Sequence, residues 1–190
     1  MQEMWESLKN IYVLCHEKGT LVEMNINKIK INSYGKLKEK EINLNKGINI
    51  IYGKNEAGKS TLLKFIINIF YGISKNKKGK EYSDFEKYTP WMGEEFSGKI
   101  EYELNNKNKY EVYRDFKKKN PKIFNENMED ISKEFDIDKT KGNQFFYEQT
   151  GIDEDLFIST LVVGQTETKL RKTRTKHSSS KDSKFSRNRK

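Results

Sequence analysis

Gly53 and Gly58 are separated by four residues and followed at once by Lys59, Ser60 and Thr61, so that residues 53–61 read GKNEAGKST. Each of these residue types has a chemical use at that spacing. The two glycines let the backbone take positive φ and come close to an anion. The N–H groups of Lys54, Asn55, Glu56 and Ala57 can then turn inward as a nest. Lys59 adds a mobile point charge, the Ser60 hydroxyl is a hard oxygen ligand for Mg²⁺, and Thr61 carries the chain into a helix. The ligand that fits this set is a nucleoside triphosphate. Residues Gly53, Lys54, Asn55, Glu56, Ala57, Gly58, Lys59, Ser60 and Thr61 are therefore read as a P-loop for ATP and Mg²⁺.

Such a loop has to lie between a strand and a helix. The run Gly47-Ile48-Asn49-Ile50-Ile51-Tyr52 has the β-branched composition of a buried strand. Beyond the loop, Leu62, Leu63, Phe65, Ile66, Ile67, Ile69 and Phe70 predict a helix of about three turns, apolar on most faces and therefore buried, which Gly72 can end. Its N-terminus would face the phosphates with the positive end of its dipole.

The composition divides the chain. Ten of the 37 Lys and Arg residues, but only one of the 28 acids, fall in residues 169–190, so residues 1–168 are neutral and the net charge of +9 belongs to the tail. Arginine usage changes there too: Arg114 is the only arginine before Lys169, against four in the tail. By composition the tail is a disordered basic segment. Two origins compete for it. It is either a native arm that tracks nucleic-acid phosphates, or out-of-frame translation beyond a lesion in a longer gene, which the abrupt change of usage favours. The single Cys15 excludes a disulfide framework and fits a reducing cytosol. No apolar run reaches the ~18 residues that span a bilayer, so no membrane association is expected and a cytoplasmic protein is read.

Trp5, Leu8, Ile11, Tyr12 and Cys15 fall at helical spacing, so residues 1–23 are read as a helical extension, with Met24 as the natural start of the domain. Residues 24–168 form the body. Within it, residues 99–104 and 110–116 alternate apolar and polar side chains about Asn105-Asn106-Lys107-Asn108, which predicts a hairpin. Residues 117–120 read as a solvated turn, and Phe145, Phe146, Tyr147 and Phe157 as core. For Arg114, a surface ion pair with a carboxylate competes with contact to nucleotide or partner.

Several stretches carry a resemblance: residues 26–35, residues 41–44, the stretch GINIIYGKNEAGKSTLLKFIINIFYG, and Tyr88-Thr89-Pro90-Trp91-Met92-Gly93 followed by Phe96-Ser97-Gly98-Lys99-Ile100-Glu101. Together they resemble the N-terminal half of an ABC-type ATPase head in the SMC-like, SbcC-like and RecF-like group, with YhaN-type AAA domains the nearest in look. The resemblance implies an α/β P-loop NTPase fold with an antiparallel β lobe. It also implies a complementary C-terminal half or a second head as partner, and a parent acting in DNA repair or other DNA-associated work. The stretch from Thr150 to Gln165 looks like the lead into a Q-loop, which would make Gln165 a Mg²⁺ ligand beside Ser60. The signature motif and the hydrophobic Asp-Glu strand of that group are not found. His16 and His177 do not fit its switch histidine, and no catalytic residue is assigned. The chain by itself is thus expected to bind nucleotide weakly and to turn it over poorly. Two other functions stay open: a nucleic-acid binder using its basic tail, and a P-loop kinase of a small metabolite.

Overall fold

The computed structural model describes residues 6–8, 11–15, 20–76, 81–104, 107–138 and 142–161. In chain order, the first strands are β1 (Glu6–Leu8), β2 (Ile11–Cys15), β3 (Thr20–Tyr34), β4 (Leu37–Asn43) and β5 (Asn49–Ile51). Helices α1 (Lys59–Tyr71) and α2 (Asp84–Tyr88) precede β6 (Ser97–Leu104), β7 (Lys109–Asp115) and β8 (Lys122–Phe124). A 3-10 turn (Ser132–Glu134) leads to the short β9 (Ile137–Asp138) and β10 (Gly142–Asn143), followed by α3 (Phe145–Thr150), α4 (Glu154–Leu156) and a π-helical segment (Phe157–Leu161).

Six of the strands make one antiparallel sheet. β3, β6, β7 and β8 are successive neighbours, while β2 and β4 pair with different parts of the opposite edge of β3. Register follows side-chain alternation: Ile29 faces Ile100 across the β3–β6 ladder, and Ile100 faces Val112 across β6–β7. All three are fully buried. The expected hairpin is present, with Ser97 opposite Asp115 and Glu103 opposite Lys109. Residues 117–120 are exposed, as read from their charge.

α1 lies on this sheet and is the apolar helix its sequence predicts. Leu62, Phe65, Ile66, Ile67, Asn68, Ile69 and Phe70 are buried, and the Gly72 N–H closes the last turn on the Asn68 carbonyl at 2.9 Å. Two aromatic clusters hold it. Near its start, Tyr34 stacks on Tyr88 at 4.9 Å and meets Phe65 edge-on at 5.4 Å, and its hydroxyl oxygen accepts from Asn68 Nδ2 at 2.6 Å. Near its end, Phe70 packs on Tyr102 at 5.6 Å and on Phe146 at 4.4 Å.

Four expectations need correcting. Ile11–Cys15 is a strand, not part of a helix: it pairs with Thr20–Met24, and an available strand edge selects the extended form for its β-branched and aromatic run. Met24 is no boundary, because β3 runs through it without a break and its side chain is buried. The P-loop strand β5 is not buried: Ile48, Ile50 and Tyr52 are 67%, 59% and 52% exposed, since β5 pairs only with β1 among the described residues. Tyr147 is 41% exposed, whereas Phe145, Phe146 and Phe157 are core; three consecutive residues of α3 cannot all face one side.

Helix and sheet approach closely at Gly98. A Cβ there would stand 2.6 Å from Phe65 Cζ and 2.7 Å from the Lys30 carbonyl oxygen. Phe65 is fully buried and the carbonyl is fixed in a ladder, so neither yields cheaply. Gly98→Ala is expected to destabilise the fold by about 2–3 kcal/mol. Urea unfolding should show this as a lower midpoint at unchanged slope.

Candidate phosphate-binding site

β5 delivers the chain to Gly53, and the loop turns on a hydrogen bond from the Ala57 N–H to the Lys54 carbonyl at 3.1 Å. Glu56 and Gly58 take positive φ, 67° and 103°, and Gly58 is the N-cap of α1 with no side-chain cap. At Gly58 the glycine is required twice over: besides its φ, a Cβ would stand 2.8 Å from Leu37 Cδ2. The first N–H groups of α1 therefore have neither an intrahelical acceptor nor a capping side chain, which leaves them directed out of the helix at the loop. Lys59 Nζ lies back over the loop and donates to the carbonyls of Gly53 at 2.6 Å and Lys54 at 3.0 Å. Lys54, Asn55, Glu56, Ala57 and Ser60 are exposed.

All the loop residues proposed from sequence are thus contiguous at one helix end. A turn from another part of the chain braces them. Leu37 packs on Gly58, Lys36 Nζ donates to the Glu56 carbonyl, and a Cβ on Gly35 would lie 3.3 Å from Thr61 Cγ2. Gln165 and residues 169–190 lie outside the described residues. Among the described residues, no group of three or more His, Cys, Asp and Glu converges on a point. No helix among them is long and apolar enough to cross a membrane.

Arg114 has neither of the roles its sequence suggested. It is 4% exposed and forks onto the last turn of α1, with Nε to the Ile69 carbonyl at 2.8 Å and Nη2 to the Phe70 carbonyl at 3.3 Å. Nη1 reaches the Lys119 carbonyl at 3.3 Å. Burial pushes the guanidinium pKa down to about 9. α1 has no basic residue in its own last turn, so Arg114 supplies from the sheet the positive charge that suits the C-terminal end of the helix dipole. Beside it opens a cleft of about 570 Å³ lined by Gly72, Lys75, Arg114, Phe146 and Asp153 among others. It lies at the opposite end of the 13-residue helix from Gly58, about 20 Å from the candidate loop.

A glycine-rich loop between a strand and a buried helix, beside an antiparallel sheet, defines a mixed α/β unit. A family model described as an AAA domain matches residues 28–190, and the chain belongs to that family. It is 31% identical over 84 residues to the uncharacterized protein YhaN of Bacillus subtilis (strain 168), covering 44% of this chain and 8% of that protein. It is 30% identical over 94 residues to the DNA double-strand break repair Rad50 ATPase of Pyrococcus abyssi (strain GE5 / Orsay), covering 49% of this chain and 10% of that one. The similarity is that of the N-terminal half of an SMC-like ATPase head. The matched region is about a tenth or less of each relative's length.

Arg114→Met leaves the Ile69 and Phe70 carbonyls buried without their charged donor. The expected cost is about 2–4 kcal/mol in urea unfolding. Arg114→Lys should recover only part of it, because one ammonium cannot reproduce a planar fork spread over three carbonyls.

Proposed function

We propose that this chain is the ATP-binding N-terminal lobe of an SMC-like, YhaN-like ATPase head, of the ABC type, whose parent acts in DNA repair or other DNA-associated work. The observation that carries the reading is the loop itself. An uncapped helix N-terminus stands behind Gly58 at φ 103°, and the Lys59 ammonium already rests on loop carbonyls beside the place a phosphate would take. Residues 53–61 would hold the triphosphate. Glycine at 53 suits that role: a Cβ there would come within 3.1 Å of Ala57 Cβ and crowd the loop. Membership of the AAA domain family and likeness to a Rad50 ATPase support nucleotide binding of the ATPase type.

The Ser60 hydroxyl, exposed at the start of α1, is a donor suited to Mg²⁺, with Gln165 proposed as a second ligand. When bound, the ion would offset charge on the phosphates; the chain's own part is to orient them on the N–H groups and on Lys59. The exposed side of the P-loop strand suits a partner. Ile48, Ile50 and Tyr52 are an apolar strip beside a strand paired on one side among the described residues, which fits a complementary C-terminal head half adding its own strand. In this reading residues 169–190 are either a native basic arm that tracks nucleic-acid phosphates or an out-of-frame tail.

Calorimetric titration of the whole chain with Mg-ATP tests the assignment. Lys59→Ala should weaken binding about 10- to 100-fold, the range for losing one charge-assisted contact. Equal affinity in the variant would remove the P-loop from the site. Hydrolysis by this chain alone is expected at background, and a turnover abolished by Lys59→Ala would overturn that part.

A further inference from the structure

We propose that Trp91 stacks on the base of the bound nucleotide, an inference that rests on the phosphate-site reading above. Trp91 is 98% exposed and its neighbour Met92 is 87% exposed. Full exposure of a tryptophan forgoes a large burial energy, and nothing in the packing of this lobe uses the ring. The loop that carries it is nonetheless tied on both sides: before it to Gly35 of the turn beside residues 53–61, and after it to Lys38 near the start of β4. Three residues before it, the Tyr88 carbonyl accepts from the Gly35 N–H at 2.7 Å, and Gly35 is the position whose Cβ would lie 3.3 Å from both Thr61 and Tyr88. Three residues after it, Glu94 Oε1 bonds Lys38 Nζ at 3.3 Å, and Glu94 Oε2 accepts from the Met92 N–H at 3.1 Å to close the turn.

A three-residue span reaches at most about 11 Å, so the indole cannot leave the neighbourhood of Gly35 and Lys38. The same short turn, through Lys36 and Leu37, touches Glu56 and Gly58 of the phosphate loop. A triphosphate seated at the start of α1 would carry its sugar and base outside the helix, within reach of this loop. The loop offers a flat aromatic face that is 98% exposed among the described residues. Stacking of this kind favours large ring systems and reads no hydrogen-bond pattern, so the site would take nucleoside triphosphates with a preference for purines.

The chain has two tryptophans, so a Trp5→Phe background leaves Trp91 as the sole indole reporter. Mg-ATP should quench its emission, while Mg-tripolyphosphate, which fills the loop without a base, should not. Trp91→Ala should weaken ATP about 5- to 100-fold and leave tripolyphosphate unchanged, with Trp91→Phe retaining most of the affinity. If both ligands bind and both are lost in Lys59→Ala, but Trp91→Ala binds ATP as the parent chain does, the stacking inference fails and the phosphate site stands. An equal emission change with tripolyphosphate would report loop movement and also overturn it. If neither ligand binds, both readings fall together.

Discussion

The seat of α1 on the sheet is the constraint from which the rest follows. Phe65 lies so close to β6 that only glycine fits at 98, and the same ring joins the aromatic cluster built on Tyr34. An isolated helix of 13 residues is marginal in water, so its position and the direction of its N-terminus come from this packing. The loop inherits that precision. Gly58 is held by Leu37 at the start of β4, and Lys59 begins the helix whose opposite end is tied to β7 through Arg114. The element that would touch phosphate is thus fixed at its start, middle and end by three different strands.

Charge is arranged along the same axis. Residues 1–168 carry no net charge, so any attraction for a polyanion has to be local. At the N-terminal end of α1 it comes from free N–H groups, Lys59 and Lys36; at the C-terminal end a buried guanidinium meets carbonyls. Arg114 has a lowered pKa because it is desolvated, yet carbonyls of two segments receive its donors, which offsets part of that cost. A lysine-rich lobe that uses arginine once uses it where a fork is needed.

Legibility in the sequence tracked the range of the interaction. Local features were readable: the strand–loop–helix order about residues 53–61, the apolar run of α1 with Gly72 behind it, and the alternation of the β6–β7 hairpin each depend on neighbours within a few residues. What depended on distant partners was not. Spacing at Trp5, Leu8, Ile11 and Cys15 suited a helix, but Ile11–Cys15 is extended because β3 offers it an edge. Composition around Ile50 suited a buried strand, but burial needs flanking strands that the described residues do not supply. Arg114 sits 45 positions from the carbonyl it serves, and no alternation pattern names that partner. A signal did exist in its solitude among lysines, and geometry gives it content.

The stretch from Tyr88 to Gly98 separates two kinds of constraint that sequence alone leaves mixed. Tyr88, Pro90, Phe96 and Gly98 are buried: Tyr88 stacks on Tyr34, Phe96 packs 4.9 Å from Phe116, and Gly98 admits Phe65. Before β6 the chain is tied down by polar contacts as well. Glu95 accepts from Ser97 Oγ and Tyr113 Oη, both at 2.8 Å, and these hydrogen bonds hold its carboxyl below the usual range. Packing accounts for all of these residues and for none of Trp91, Met92 and Gly93, which lie outside the core on a segment anchored on either side. The contacts that tie down the chain on either side of Trp91 present an exposed indole that the core does not explain. The buried residues fix where the exposed one stands, and the exposed one belongs to whatever approaches from solvent.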